Sequence, residues 1–217
     1  YKETDHRSYS SAPAYRLSGH YLPLGAEQVL HGYMKVSQVK EVCHRHGVSI
    51  TKYLAAVLIW SIWQEYGQGK PGKLPVMLNL PVNLRSIFGS ETMANFFAVS
   101  LVGGRFGSRK VSFESVLKLV SRQLDETLEK KNLEEHISYN VSNEKKWYLR
   151  AVPLVIKAPL MRMIFRMKDR AYTMTMSNIG PIAMEPEYAA EIQRFHLMIG
   201  VPRGQPVKCA LCAWDEE

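Results

Sequence analysis

Two short segments of this chain carry residue types suited to polar chemistry at the end of a strand. The first, Leu80-Pro81-Val82-Asn83-Leu84-Arg85, closes an apolar run and is followed by Asn95-Phe96-Phe97. It brings an amide and a guanidinium to one sheet edge, and a guanidinium pairs a carboxylate through two parallel hydrogen bonds. The second, Met176-Ser177-Asn178-Ile179-Gly180-Pro181, reads as a strand running into a tight turn made by Gly-Pro. A hydroxyl and an amide held where a strand stops can donate to a developing oxyanion. Spacing alone leaves an ordinary alternative for each: Asn83 closes a turn, Arg85 is a solvated loop residue, and Ser177-Asn178 is turn chemistry.

Two other constellations compete with these. Cys209-Ala210-Leu211-Cys212 and Cys43-His44-Arg45-His46 supply zinc-ligand types. The first, however, lies in an apolar stretch that reads as a strand, where a separation of three sends side chains to opposite faces. The expectation is therefore buried thiols and no bound metal, with a zinc-stabilised interaction domain as the weaker rival. Between Val152 and Arg170, five cations (Lys157, Arg162, Arg166, Lys168, Arg170) stand among Leu, Ile, Met and Phe. That segment is expected to pack its apolar side into the core and keep its basic side wet. An anionic membrane or an acidic partner is the functional alternative.

The elements that must position these residues follow from periodicity. Residues 1–14 read as an irregular leader, and the domain is expected to span 15–217. Short strands are expected at Tyr15–Gly19 and Glu27–Met34. Ser37–His46 reads as a helix closed by Gly47, and Ser49 or Thr51 opens another that runs to about Tyr66. This second helix is apolar nearly all round and so belongs in the interior. After a turn at Gln68–Lys73, strands are expected at Leu74–Val82 and Phe96–Val102. Ser112 then opens the cleanest amphipathic helix, with Phe113, Val116, Leu117, Val120, Leu124 and Leu128 on one face. Helices at Leu133–Trp147 and Pro153–Lys168, the latter kinked near Pro159, precede strands at Tyr172–Ser177, Ile192–Ile199 and Val207–Trp214. Such interleaving predicts a mixed α/β (α+β) fold, a mixed sheet with helices mainly on one face.

Composition excludes several classes. The chain has 217 residues, 46% hydrophobic and 22% charged, with four Trp, eleven Tyr and seven Phe. That is too apolar for disorder and enough for a sizeable core. The apolar stretch Tyr53–Trp63 is too short to span a bilayer, and no signal-peptide pattern opens the chain. An opening Tyr in place of Met leads us to expect sequence upstream. The formal net charge of +8 attracts anions, but no nucleic-acid-binding motif accompanies it. Three cysteines, an odd number, argue against a disulfide framework and for a reducing compartment, the cytoplasm by default.

Taken in order, four segments carry a resemblance: Gly47-Val-Ser-Ile-Thr-Lys-Tyr-Leu54, Val82-Asn-Leu-Arg85, Asn95-Phe-Phe97 and Ser177-Asn-Ile-Gly-Pro181. From Tyr15 onward the chain resembles the C-terminal half of the chloramphenicol acetyltransferase-like superfamily, which includes peptide-synthetase condensation domains and alcohol acetyltransferases. The resemblance implies acyl transfer from a thioester to a hydroxyl or amine. The co-substrate it implies is acyl-CoA or a phosphopantetheine thioester, the latter carried by an acidic carrier protein, with no cofactor bound covalently. It implies a general-base histidine in a His-His-x-x-x-Asp-Gly motif, lying between two lobes. By the same resemblance Ser177 is the oxyanion donor with Asn178 beside it in the catalytic set, Arg85 pairs that motif's Asp and with Asn83 braces the site, and Asn95 and Phe97 line the channel. The chain departs from the pattern in one respect: none of its seven histidines stands in an HHxxxD sequence. The base is therefore expected on an N-terminal lobe outside this chain, so the isolated chain is expected to be inactive. The alternative is a non-catalytic relative that keeps the fold for binding or assembly.

Overall fold

The computed structural model describes residues 12–17, 19, 22–23, 25–67, 74–106, 111–145, 152–201 and 205–216. Residues 1–11 of the expected leader, the expected turn at Gln68–Lys73 and the end of the helix expected to reach Trp147 lie outside these described residues.

Four strands form one mixed sheet: β1 (Val76–Asn83), β2 (Phe97–Gly104), β3 (Met174–Pro181) and β4 (Lys208–Ala213). Their order across the sheet is β2-β1-β3-β4. β1 and β2 pair antiparallel from Val76↔Gly104 to Asn83↔Phe97, while β3 runs parallel to β1 and to β4. The fold is thus mixed α/β, as the interleaved pattern predicts.

Alternation decides what each strand contributes. Val76, Leu78 and Leu80 of β1, Val102 of β2, and Met174 and Met176 of β3 are buried in one cluster. They meet Ala55, Ala56, Ile59, Ile62 and Trp63 from α2 (Ile50–Gly67), and Val116, Leu117, Val120 and Leu124 from α4 (Phe113–Leu128). Helix α2 is apolar on every side from Tyr53 to Trp60, and no residue from Ile50 to Trp60 is exposed. The expectation of an interior helix holds. Tyr53 and Trp60 meet the edge or face of Phe113 with ring centroids 5.4 and 6.0 Å apart, both near perpendicular. Such edge-to-face pairs lock α2 to α4 beyond the area they bury.

Local signals match the termini. Helix α1 (Val36–His46) stops where Gly47 adopts φ 64° and returns its N–H to the carbonyls of Cys43 and His44. Ser49 accepts from the Lys52 N–H and opens α2, and Ser112 accepts from the Ser115 N–H and opens α4.

Strand β2 forms an edge of the sheet, and at Gly103 its outward backbone groups are taken by a side chain. The Gln123 amide of α4 accepts from the Gly103 N–H at 2.8 Å and donates to the Gly103 carbonyl at 2.9 Å. At this residue the edge offers no free groups for pairing with another chain. Gly103 has φ 134°, and a Cβ there would stand 2.1 Å from the Val76 carbonyl oxygen.

Three expected strands do not form. Among the described residues, 15–19, 27–34 and 192–199 contain no strand. The last two run close together through side chains alone: Arg194 lies 4.2 Å over the Tyr33 ring and His31 Nδ1 is 3.3 Å from His196 Nδ1. Val29 and Leu30 stay exposed, so alternation there buries no apolar face and ordering a ladder gains little. Residues 14–17 instead strap the sheet, through Ala14 N–H to the Arg170 carbonyl and Tyr15 N–H to the Pro75 carbonyl. Ala14, placed in the irregular leader, is accordingly buried.

A further correction concerns the basic segment. Helix α6 (Leu154–Asp169, following α5, Lys130–Lys145, and the short α3, Arg85–Phe88) has no buried residue. Its apolar side does not enter the core, because α2 and α4 already fill the helix-bearing face of the sheet. Pro159 sits inside it, removing one backbone donor.

Replacing Gln123 with Ala should cost about 1–3 kcal/mol by leaving two backbone groups of Gly103 without partners. Gly103→Ala should cost about 2 kcal/mol or more from the forced contact and backbone strain. Urea unfolding of both variants checks this; a Gln123→Ala midpoint equal to wild type means that water satisfies the edge equally well.

Candidate functional site

Burial of Met174 and Met176 against the helices turns Thr175 and Ser177 to the opposite face of β3. Asn79 of β1 shares that face, because Asn79 is the register partner of Thr175. Asn83 and Phe97, paired across β1 and β2, lie on it as well. The face away from α2 and α4 thus carries Asn79, Asn83, Phe97, Thr175 and Ser177.

Ser177 is half-buried, and its hydroxyl makes no hydrogen bond among the described residues. Its register partner on β4 is Ala210, whose methyl leaves room beside it. Asn178 points the other way. Its amide donates to Thr51 Oγ1 at 3.0 Å, and its Oδ1 accepts from the Gly180 N–H at 2.9 Å. It joins the first turn of α2 to the irregular stretch of β3, where the register shifts between Asn178 and Pro181 and Gly180 adopts φ 75°. The strand expected to stop at Ser177 thus runs on to Pro181, and Asn178 is a brace within it.

Arg85 organises its own loop. Asn83 Oδ1 accepts from the Arg85 N–H at 3.0 Å and lies 3.5 Å from Arg85 Nη1. The guanidinium donates through Nε to the Thr92 carbonyl and through Nη2 to the Ala94 carbonyl, both at 2.8 Å. Asn83 does close a turn, and the Arg85 side chain ties down the 89–96 loop. A guanidinium has five donors, so some remain for a carboxylate. Beneath this loop Leu84, Ala98 and Leu133 form a second small core with Phe88 and Phe96, whose rings are 5.8 Å apart. Asn95 is exposed on the loop, next to exposed Phe97.

One part of the site was invisible in the motifs. Buried Gln205 accepts from Thr175 Oγ1 at 3.1 Å and donates to Asp169 Oδ1. Thr175 in turn accepts from Asn79 Nδ2 at 3.3 Å, and Tyr172 donates to Asp169 Oδ1 at 3.0 Å. Arg16 adds a hydrogen bond to the Asp169 carbonyl at 3.0 Å and approaches its carboxylate at 3.8 Å. The chain of contacts runs from the strap, through the end of α6, to the residue two before Ser177. A lone Gln between Gly204 and Pro206 carries no sequence signal; only proximity reveals it. Burial, foremost, pushes the Tyr172 phenol above its ordinary value, with Asp169 adding to the rise.

The competing metal reading finds no ligand set: among the described residues no three His, Cys, Asp or Glu side chains group as ligands. Cys209 faces the core while Cys212 lies on the other side of β4. Burial pushes the Cys43 and Cys209 thiols up. A concavity of about 530 Å³ between the α1–α2 turn and α4, bounded by His46, Lys118 and Asp125, holds none of the six expected site residues. No described helix is long and apolar enough to cross a membrane.

The raised Tyr172 value has a sign. A phenol whose folded value lies above its unfolded one favours the folded state below about pH 10. That contribution is lost as pH rises through the folded value. Wild type should therefore lose stability between about pH 9 and 11 more steeply than Tyr172→Phe in urea melts across this range. Equal slopes would take Tyr172 out of the network's energetics.

Comparison with known protein families, curated proteins and solved structures returns no match for this chain.

Proposed function

We propose that this chain is the C-terminal lobe of an acyltransferase that moves an acyl group from a thioester, acyl-CoA or carrier-bound, to a hydroxyl or amine. The observation that supports this reading best is the placement of Ser177. A hydroxyl with no hydrogen-bond partner among the described residues stands half-buried midway along β3, just ahead of the register shift between Asn178 and Pro181, on the sheet face turned away from the packed helices. A donor kept free in this way is available to an oxyanion and costs nothing to reorganise when charge develops.

In this reading the acceptor loses its proton to a histidine on a lobe outside these residues and attacks the thioester carbonyl carbon. Charge gathers on the carbonyl oxygen, where Ser177 Oγ donates. Collapse of the tetrahedral intermediate expels the thiolate, which recovers the proton from the histidine. Asn178 positions Ser177 from behind, through Thr51 and Gly180. Asn83, Arg85, Asn95 and Phe97 form the rim, and the spare donors of Arg85 are free to take a carboxylate of the opposing lobe.

Assembled with a lobe carrying HHxxxDG, the enzyme should lose about one to three orders of magnitude in turnover on Ser177→Ala, read as free thiol release, by analogy with ~10²–10³ for other oxyanion donors. The 217-residue chain alone should release no thiol above background. An unchanged rate in the variant removes Ser177 from the mechanism. No turnover in any assembled form would favour the binding relative.

A further inference from the structure

Two histidines 165 positions apart in the chain face each other through the same ring atom. His31 Nδ1 stands 3.3 Å from His196 Nδ1. Their rings are steeply crossed, 72° between planes with centroids 4.6 Å apart. Both residues are exposed, so burial does not explain why they meet. Each is held by its neighbours. The Tyr33 ring lies within 14° of the His31 plane, and Arg194 rests on that ring at 4.2 Å. Next to His196, Phe195 meets Trp214 edge-on at 4.8 Å, and the Trp214 indole N–H donates to the Ile192 carbonyl.

A neutral imidazole carries its proton on one nitrogen and a lone pair on the other. Two lone pairs facing each other repel, so either a proton or a metal ion belongs between them. Hydrogen bonds donated by nitrogen favour about 2.7–3.2 Å between heavy atoms. Nitrogen ligands about 2.0–2.1 Å from a tetrahedral zinc stand about 3.3–3.4 Å from one another. The spacing of this pair fits the second arrangement. With both protons on Nε2, both Nδ1 lone pairs are available to one ion.

We propose that His31 and His196 clamp a zinc ion through their Nδ1 atoms, with water in the remaining positions. Imidazole suits zinc and its late-transition neighbours, whereas magnesium and calcium take oxygen ligands. No third His, Cys, Asp or Glu joins the pair among the described residues. The grip is therefore two-point and more open than a four-ligand structural site. Its role follows from where it sits. The segments at 27–34 and 192–199 form no strand and meet through side chains, and one ion on both would staple them. Binding energy at a site that exists only in the folded chain is folding energy. Neither histidine lies on the Ser177 face, so the assignment does not rest on the acyl-transfer reading.

Equilibrium dialysis of the 217-residue protein against zinc chloride tests the clamp, with bound metal read by mass spectrometry. Wild type should hold one zinc more than His31→Ala and one more than His196→Ala. His44→Ala, at an exposed histidine outside the pair, should hold as much as wild type. Excess magnesium should not displace the ion. Zinc should slow backbone hydrogen exchange across 26–34 and 192–199 in wild type and leave it unchanged in either paired-histidine variant. All three histidines are exposed, so circular dichroism should stay that of wild type throughout. Equal zinc in wild type and the paired-histidine variants would overturn the proposal and leave the pair as a hydrogen bond between imidazoles. Loss of only half an equivalent in each variant would also overturn it, since two independent surface imidazoles behave that way. Exchange in the two segments that ignores zinc would overturn the stapling role.

Discussion

Burial of Met176 between the sheet and α2 is the contact on which the site depends. Side chains alternate along a strand, so fixing Met174 and Met176 in the core fixes Thr175 and Ser177 on the other face. A slip of β3 by one residue would expose both methionines, at a cost on the order of 3–6 kcal/mol in apolar burial. It would also drive two hydroxyls into the helix interface. The position of Ser177 is thus a consequence of packing that Ser177 does not itself make.

Polar contacts then lock that register from both ends. Asn178 ties the far end of β3 to Thr51 at the start of α2. At the near end, Thr173 exchanges hydrogen bonds with Met77, its N–H to the Met77 carbonyl and its Oγ1 accepting from the Met77 N–H. Thr175, Gln205 and Asp169 continue the same network toward Tyr172 and Arg16. Buried polar groups are costly unless each finds a partner, and this chain of partners admits few alternative placements of the strand.

The two unusual surfaces of the molecule sit on different elements. One is the polar sheet face with Ser177 and the Asn83–Arg85 loop; the other is the cationic, apolar circumference of α6. Asp169 is where they meet, because it ends α6 and accepts from both Tyr172 and Gln205.

By itself the sequence determined the mixed α/β class, the four strands of the sheet, the interior helix α2 and the caps at Gly47, Ser49 and Ser112. These follow from local periodicity and from hydrogen bonds between near neighbours, which a linear pattern contains. It also singled out Ser177, Asn178, Asn83 and Arg85, since amides and hydroxyls at strand ends are legible as residue types. Tertiary structure alone decided the rest. Alternating segments at 27–34 and 192–199 look like strands, yet a ladder needs a neighbour and a buried face, and neither is provided there. The Val152–Arg170 segment looks like a core helix, but α2 and α4 had already filled the one face available. Gln205 and Asp169 lie 36 positions apart in the chain, and their pairing exists only because β3 and β4 run side by side. Which face of the sheet each motif occupies was likewise settled by what the core accepted, because strand alternation fixes sides only relative to a neighbour that is already buried.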